Sequence, residues 1–414
     1  MLNPLLNPLP IALLSLSLVS SLGSAANAGT FTRVLQTGQA VPGNTQPVSG
    51  IRSIAIDNQQ NIVAIVKTKT IRVPIPFASF GAERDSTFQG LYLFNSALVP
   101  TLVDSADDYA STSLTQSVTL NASINAGSVM LISSKFARMT RGGYTDMGPD
   151  EVKVGTPGAF NLFLTASRFN WPTIIQPNTL ALSNGQAFLL GEPNPNTTVN
   201  PQKGLLKITA PNQLTEAIAA TSPVFGSEPF IPKTLGQIVR ASGNNVLLVT
   251  QNTKRYRVFS KFGTSAPKKI YDGTTSTFGP SSSCGAAISG SNIVVCSKEV
   301  KPTATGTNPY SLRVKFGNAA PFQTIAFPNT TAIEQPSIAG KTVIFKAVTE
   351  TQDKLYVSTD AQAPVQLLAT GDTLDGKVVS KLNLSEQGQA IASTTIVFLV
   401  TFTDGSIGLY QGTL

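Results

Sequence analysis

The chain has 414 residues, 30 Lys and Arg against 22 Asp and Glu, a formal charge of +8, and no histidine. The missing imidazole excludes the Ser-His and Cys-His nucleophile pairs, the usual general base at neutral pH and the commonest zinc ligand. Carboxylate chemistry stays open.

Residues 1–28 hold an apolar run from Ile11 to Leu22 and end in Ala26-Asn27-Ala28, an A-x-A cleavage pattern. They read as a signal peptide. A short membrane anchor is the alternative, but the run is brief for a bilayer span and broken by serines. No later segment is long and apolar enough to cross a membrane. The mature chain, residues 29–414, is expected to be a single domain, a monomer, and secreted, periplasmic or extracellular.

TRVLQTGQAVPG at 32–43 is matched by VQLLATGDTLDG at 365–376, with Leu35, Thr37, Gly38 and Gly43 recurring as Leu368, Thr370, Gly371 and Gly376. Between them one unit recurs: an apolar strand, a turn centred on Gly or Asn, and a second apolar strand. The copies are 54–66, 121–133, 180–190, 239–249, 286–296, 336–348 and 382–392, with turns at Gln60, Gly127, Gly185, Gly243, Gly290, Gly340 and Gly388. Glycine enters positive φ without steric cost, which suits such turns.

A third strand-like run follows each hairpin, at 90–96, 160–167, 204–210, 255–263, 310–317, 354–360 and 407–413. After six of these a fourth run opens with proline, at Pro100, Pro172, Pro211, Pro267, Pro321 and Pro364. Proline donates no N–H and fits the start of an edge strand.

The spacing of about 47 to 67 residues is that of propeller blades. The seventh unit ends after its third strand, and residues 30–37 resemble a fourth strand with no first three. The expected fold is all-β: a seven-bladed β-propeller of four-stranded antiparallel blades, the last closed by the N-terminal strand against 407–413. Six or eight blades remain possible if a degenerate copy is miscounted.

In a propeller the long connections between second and third strands, and between blades, gather on one face, where repeat proteins commonly bind. Two are the main candidates. Residues 68–89 carry Arg72, Phe77, Phe80, Glu83, Arg84 and Asp85. Residues 135–159 carry Lys135, Arg138, Arg141, Tyr144, Asp146, Asp150 and Glu151. Aromatic rings beside Arg suit sugar faces and carboxylates.

A basic run, 254–269, alternates Arg255, Arg257 and Lys261 on one strand face, read as a solvated face or an anion-binding edge. Asp104, Asp107 and Asp108 do not match a calcium loop and read as an acidic turn. Cys284 and Cys296 flank Gly290 at equal distance. They are expected to form a disulfide across the hairpin, with two free thiols as the alternative.

The turns SNGQAF (183–188), SEQGQA (385–390), TDGSIGLY (403–410) and LLATGDTLDG (367–376) resemble those of secreted bacterial tandem-repeat proteins of the "choice-of-anchor" N-x-x-G-x-x-A-F type, most clearly over 364–414. The resemblance implies export and a repeat architecture. It carries over no catalytic residue.

No phosphate-binding loop, nucleotide fingerprint or zinc spacing is present, so no cofactor, metal or nucleic acid is expected. Positive charge on an exported chain suits an anionic partner. The reading is a non-catalytic binding module for an anionic envelope polysaccharide or a partner protein. The alternatives are a carbohydrate-active enzyme, a hydrolase or lyase using loop carboxylates, and a purely structural envelope component.

Overall fold

Short runs rich in Val, Ile, Leu and Phe, separated by Gly, Asn, Asp and Ser, favour strands joined by tight turns, and strands are what they form. The computed structural model describes residues 30–69, 71–74, 83–86, 88–107, 115–138, 144–146, 150–166, 180–191, 204–210, 213–219, 222–225, 238–251, 255–274, 285–298, 310–327 and 330–414. Among these there is no α-helix, and seven four-stranded antiparallel blades stand in a ring.

Blade 1 comprises Val48–Ile56, Ile62–Thr68, Phe88–Phe94 and Pro100–Asp107. Blades 3 to 6 follow the same plan, beginning at Leu180–Ser183, Ile238–Ser242, Ala286–Ser289 and Ala332–Ala339. The ring closes as expected: Phe31–Gln36 pairs antiparallel with Ile407–Thr413, Phe31 opposite Gly412 and Gln36 opposite Gly408.

The core lies between blades. Each of the seven blade interfaces holds its own apolar cluster: Ile65 and Leu91 meet Ile124 and Leu131 between blades 1 and 2, and Leu35 and Leu409 meet Ile54 and Tyr92 between blades 7 and 1. Both faces of most strands are therefore covered, which is why strands such as Ile62–Thr68 read as continuous apolar runs.

The turns joining first to second strands are tied to one another around the ring. Gly127 N–H donates to Asp57 Oδ2 at 2.7 Å, Asn184 N–H to Asn125 Oδ1 at 2.8 Å, and Gly290 N–H to Ser242 Oγ at 2.8 Å. In each case the short polar residue ending one inner strand accepts from the next blade's turn.

Three expectations are corrected. In blade 2 the third strand is Asp150–Thr156 and the outer strand is Ala159–Ala166, so residues 160–167 are not the third strand. The charges of DEVKVGT suggest a loop, yet alternation buries Val152 and Val154. Pro172 lies outside the described residues.

In blade 7 the first hairpin turns after Ala392, not at Gly388. Ala392 pairs with Thr395 and Ile391 with Ile396, and the second strand is Thr395–Phe402. The segment 384–390 instead leaves the inner strand Lys377–Asn383 and enters the ring.

Asp104 and Asp107 lie in the strand Pro100–Asp107, not in an acidic turn, and Asp104 pairs with Lys153 at 2.8 Å. Asp108 lies outside the described residues.

The hairpin holding Cys296 turns between Gly290 and Ser291, with Ser289 opposite Asn292. Cys296 N–H accordingly donates to the Gly285 carbonyl at 3.1 Å. Cys296 is buried in the interface of blades 5 and 6; Cys284 lies outside the described residues.

Candidate functional site

Strands in a blade alternate in direction. Connections from second to third strands and between blades therefore share one face, and the remaining turns share the other. Two insertions rise from the first face in neighbouring blades. In blade 1, Ile71–Pro74 and Glu83–Ser86 form a separate hairpin, Arg72 opposite Asp85 and Val73 opposite Arg84.

In blade 2, Thr115–Asn125 and Ser128–Arg138 are 11 residues each, and the third strand pairs only with 129–133. The rest of Ser128–Arg138 continues past the blade and pairs with Tyr144–Asp146.

The structure thus places Arg72 and Arg84 on one hairpin. Lys135, Arg138 and Tyr144 lie on the other, with Arg138 directly opposite Tyr144. Phe77, Phe80 and Arg141 lie outside the described residues. Of the acidic candidates, Glu83 and Asp85 lie on the first hairpin, and Asp146, Asp150 and Glu151 on strands of blade 2.

Blade 1 adds a pair of cations below this face. Arg52 is on the inner strand opposite Ile65, and Lys67 is two residues farther along the second strand, on the same side. Gln89 on the third strand is opposite Lys67 and is buried. Arg52 Nη2 donates to Gln89 Oε1 at 2.8 Å, so the guanidinium leans toward Lys67 across the sheet.

Arg52 Nε is enclosed without an acceptor. Burial lowers the pKa of Arg52, and burial together with the Arg52 charge lowers that of Lys67. Arg52 is preceded by Ser49-Gly50-Ile51, and Lys67 ends the run Ile62-Val63-Ala64-Ile65-Val66; a charge within an apolar strand was the available signal for both.

The basic strand Arg255–Lys261 is not a solvated face. Arg257 is 5% exposed, with its guanidinium 5.8 Å from the Phe259 ring centre, and Lys261 Nζ donates to the Ala217 carbonyl at 2.8 Å. These cations serve the contact between blades.

The ring axis is crossed by residues 384–390. Leu384 N–H donates to Gln335 Oε1 and Ala390 N–H to Ser337 Oγ, both in blade 6. Gln389 accepts from Ser123 Oγ at 2.7 Å and donates to the Ile124 carbonyl at 2.8 Å, while its own carbonyl accepts from Ile56 N–H. A Cβ on Gly388 would lie 2.7 Å from Ala287 Cβ, so only glycine passes there.

Arg240 holds the segment from blade 4. Its Nη2 donates to the Glu386 carbonyl at 2.5 Å, Nη1 to Val239 and Nε to Ala286. Burial pushes this guanidinium down to about 9, partly offset by the Glu386 charge. On the turn-bearing face the segment floors a polar cavity of about 60 Å³ edged by Asp57, Asn125, Ser242 and Ser289. Both Asp57 oxygens are already occupied by Gln59, Asn61 and Gly127 donors. Among the described residues no group of three or more Cys, Asp or Glu is placed to hold a metal ion.

No protein-family profile and no curated protein sequence matches the chain. Solved structures are similar in fold. A prolyl endopeptidase structure aligns over 85% of this chain and 46% of its own at 11% identity, TM-score 0.51. The propeller domain of the Trilobed protease from Pyrococcus furiosus aligns over 89% and 94% at 9% identity, TM-score 0.49. The Neurospora crassa Pan2 WD40 domain aligns over 93% and 96% at 10% identity, TM-score 0.43. The chain spans less than half the length of the prolyl endopeptidase it matches. The class defined is the seven-bladed β-propeller, a fold often used for interaction.

Proposed function

We propose that the protein is an exported, non-catalytic binding module that holds an anionic envelope polysaccharide on the face bearing the inserted hairpins. The observation supporting this most is that two insertions, carrying Arg72, Arg84, Lys135, Arg138 and Tyr144, rise from one face of adjacent blades. The charge of +8 adds long-range attraction for a polyanion. Export through residues 1–28 and a Cys284–Cys296 disulfide belong to the same reading. An oxidising compartment permits the bridge.

Retention of the purified protein on polygalacturonate and on a neutral glucan, at low and high salt, tests the binding. Expected is retention on the acidic polymer alone, weakened as salt screens the charges. No retention on it would reject the reading, and release of soluble sugar would replace it with an enzyme. Intact mass and N-terminal sequencing of the exported protein are expected to show a start at Gly29 and no free thiol.

A further inference from the structure

We propose that Arg52 and Lys67, with Gln89 as their positioning residue, form an anion subsite at the base of the hairpin-bearing face, taking the carboxylate of an acidic sugar. The proposal rests on the polysaccharide reading for its ligand, and on blade 1 alone for its site.

Three observations carry it. The register sets Arg52, Lys67 and Gln89 on one side of three adjacent strands, near the end from which the blade 1 hairpin leaves. The two cations are diagonal neighbours across adjacent strands, within reach of each other for long side chains. Alongside burial, the Arg52 charge disfavours the charged form of Lys67, a repulsion that a bound anion would relieve. Among the described residues neither cation has a carboxylate partner; Lys153, Lys269, Lys341, Lys346 and Lys377 have one, and Lys261 and Lys315 donate to backbone carbonyls instead.

The arrangement is also fixed in advance. Gln89 is 4% exposed and accepts from Arg52 Nη2, so the guanidinium is held by a buried amide rather than left to swing. A planar guanidinium and a nearby ammonium, both partly withdrawn from water, favour a carboxylate more than the same groups fully exposed. A neutral sugar would leave the repulsion unrelieved. This is the basis for discrimination between acidic and neutral polymers.

The test is titration calorimetry with trigalacturonate, with maltotriose as the neutral control. Thermal melts in sodium sulfate against sodium chloride at matched ionic strength accompany it. Wild type is expected to bind trigalacturonate alone and to melt higher in sulfate. Lys67→Gln and Arg52→Gln are each expected to weaken trigalacturonate at least tenfold and to cut the sulfate shift to the smaller, site-independent stabilisation that sulfate gives any folded protein. Lys341→Gln, at an exposed pair with Asp360, is expected to change neither.

If Arg52→Gln does not fold, Lys67→Gln still decides. Without added anion it is expected to melt at or above wild type, because it removes a repulsion; a structural lysine would give the reverse. Variants that respond like wild type, or a wild type with no anion response, overturn the subsite. A Lys67-dependent sulfate effect without retention on polygalacturonate would keep the subsite and reject the polysaccharide.

Discussion

The Tyr410 hydroxyl donates to Asp375 Oδ2 at 2.9 Å. Its counterpart in blade 1, Tyr92, donates to the Pro42 carbonyl at 2.8 Å. Pro42 and Asp375 occupy the same position in the repeated segments 32–43 and 365–376. Around them the backbone repeats too. Gly38 (φ 89°) and Gly371 (φ 95°) donate to the Val48 and Val379 carbonyls, each at 2.8 Å. The N-terminal strand therefore enters blade 1 just as the outer strand of blade 6 enters blade 7, with a tyrosine of the receiving blade clamping the connection.

The clamps predict a loss of stability in alkali. Burial pushes the Tyr92 phenol up to about 12, and burial with the Asp375 carboxylate raises Tyr410 further. An unfolded tyrosine titrates near 10. Between 10 and 12 the folded state therefore holds more protons than the unfolded one. The contribution is full below pH 10 and is lost as pH rises through the folded value. Urea unfolding of Tyr92→Phe should show a shallower decline above pH 10 than wild type, and a loss of about 1 kcal/mol at pH 7 from the missing hydrogen bond. An unchanged alkaline slope would remove Tyr92 from this role.

Ring closure predicts a global effect from a terminal deletion. Removing residues 30–38 strips Phe31 from its edge contact with Phe398 at 5.1 Å and Leu35 from the interface of blades 7 and 1. It also uncovers the edge of Ile407–Thr413. The expected cost is at least about 4 kcal/mol, the scale of truncating large core side chains, with self-association through the exposed edge. Calorimetry and light scattering measure both. A truncated protein that melts like the longer one and stays monomeric would contradict the closure.

Arg240 is the clamp of the axial segment. Arg240→Met leaves the carbonyls of Val239, Ala286 and Glu386 without these donors. A loss of about 3 kcal/mol is expected, with faster amide exchange confined to 384–390. Arg240→Lys, a point charge that replaces a fork, should fall between the two. If exchange over 384–390 does not change, the segment is held by its other contacts.

Much of the fold was legible in the sequence because each blade repeats a local pattern. Turn glycines, apolar runs and strand-opening prolines recur at blade-like intervals, and the orphan strand at 30–37 pointed to closure by identifying its own partner. Reading failed where local pattern and tertiary role diverge. Asp150–Thr156 carries charges that suggest a loop, yet Val152 and Val154 complete an interface. Glu386-Gln387-Gly388-Gln389 looks like one more hairpin turn, yet it crosses the axis. Its glycine meets the need for close approach to Ala287, not the need for a turn.

The candidate site divides in the same way. The sequence determined which residues lie in the two insertions, because insertions interrupt the repeat, and it determined the face they occupy, because strand direction alternates. It could not distinguish a cation packed between blades from one offered to a ligand. Arg257 and Arg52 both interrupt apolar strands, yet the folded ring buries the first beside Phe259 while register brings the second beside Lys67. Periodicity is local and is written in the chain. The partner of a charge is set by strand register and by packing between blades, which exist only in the folded sheets.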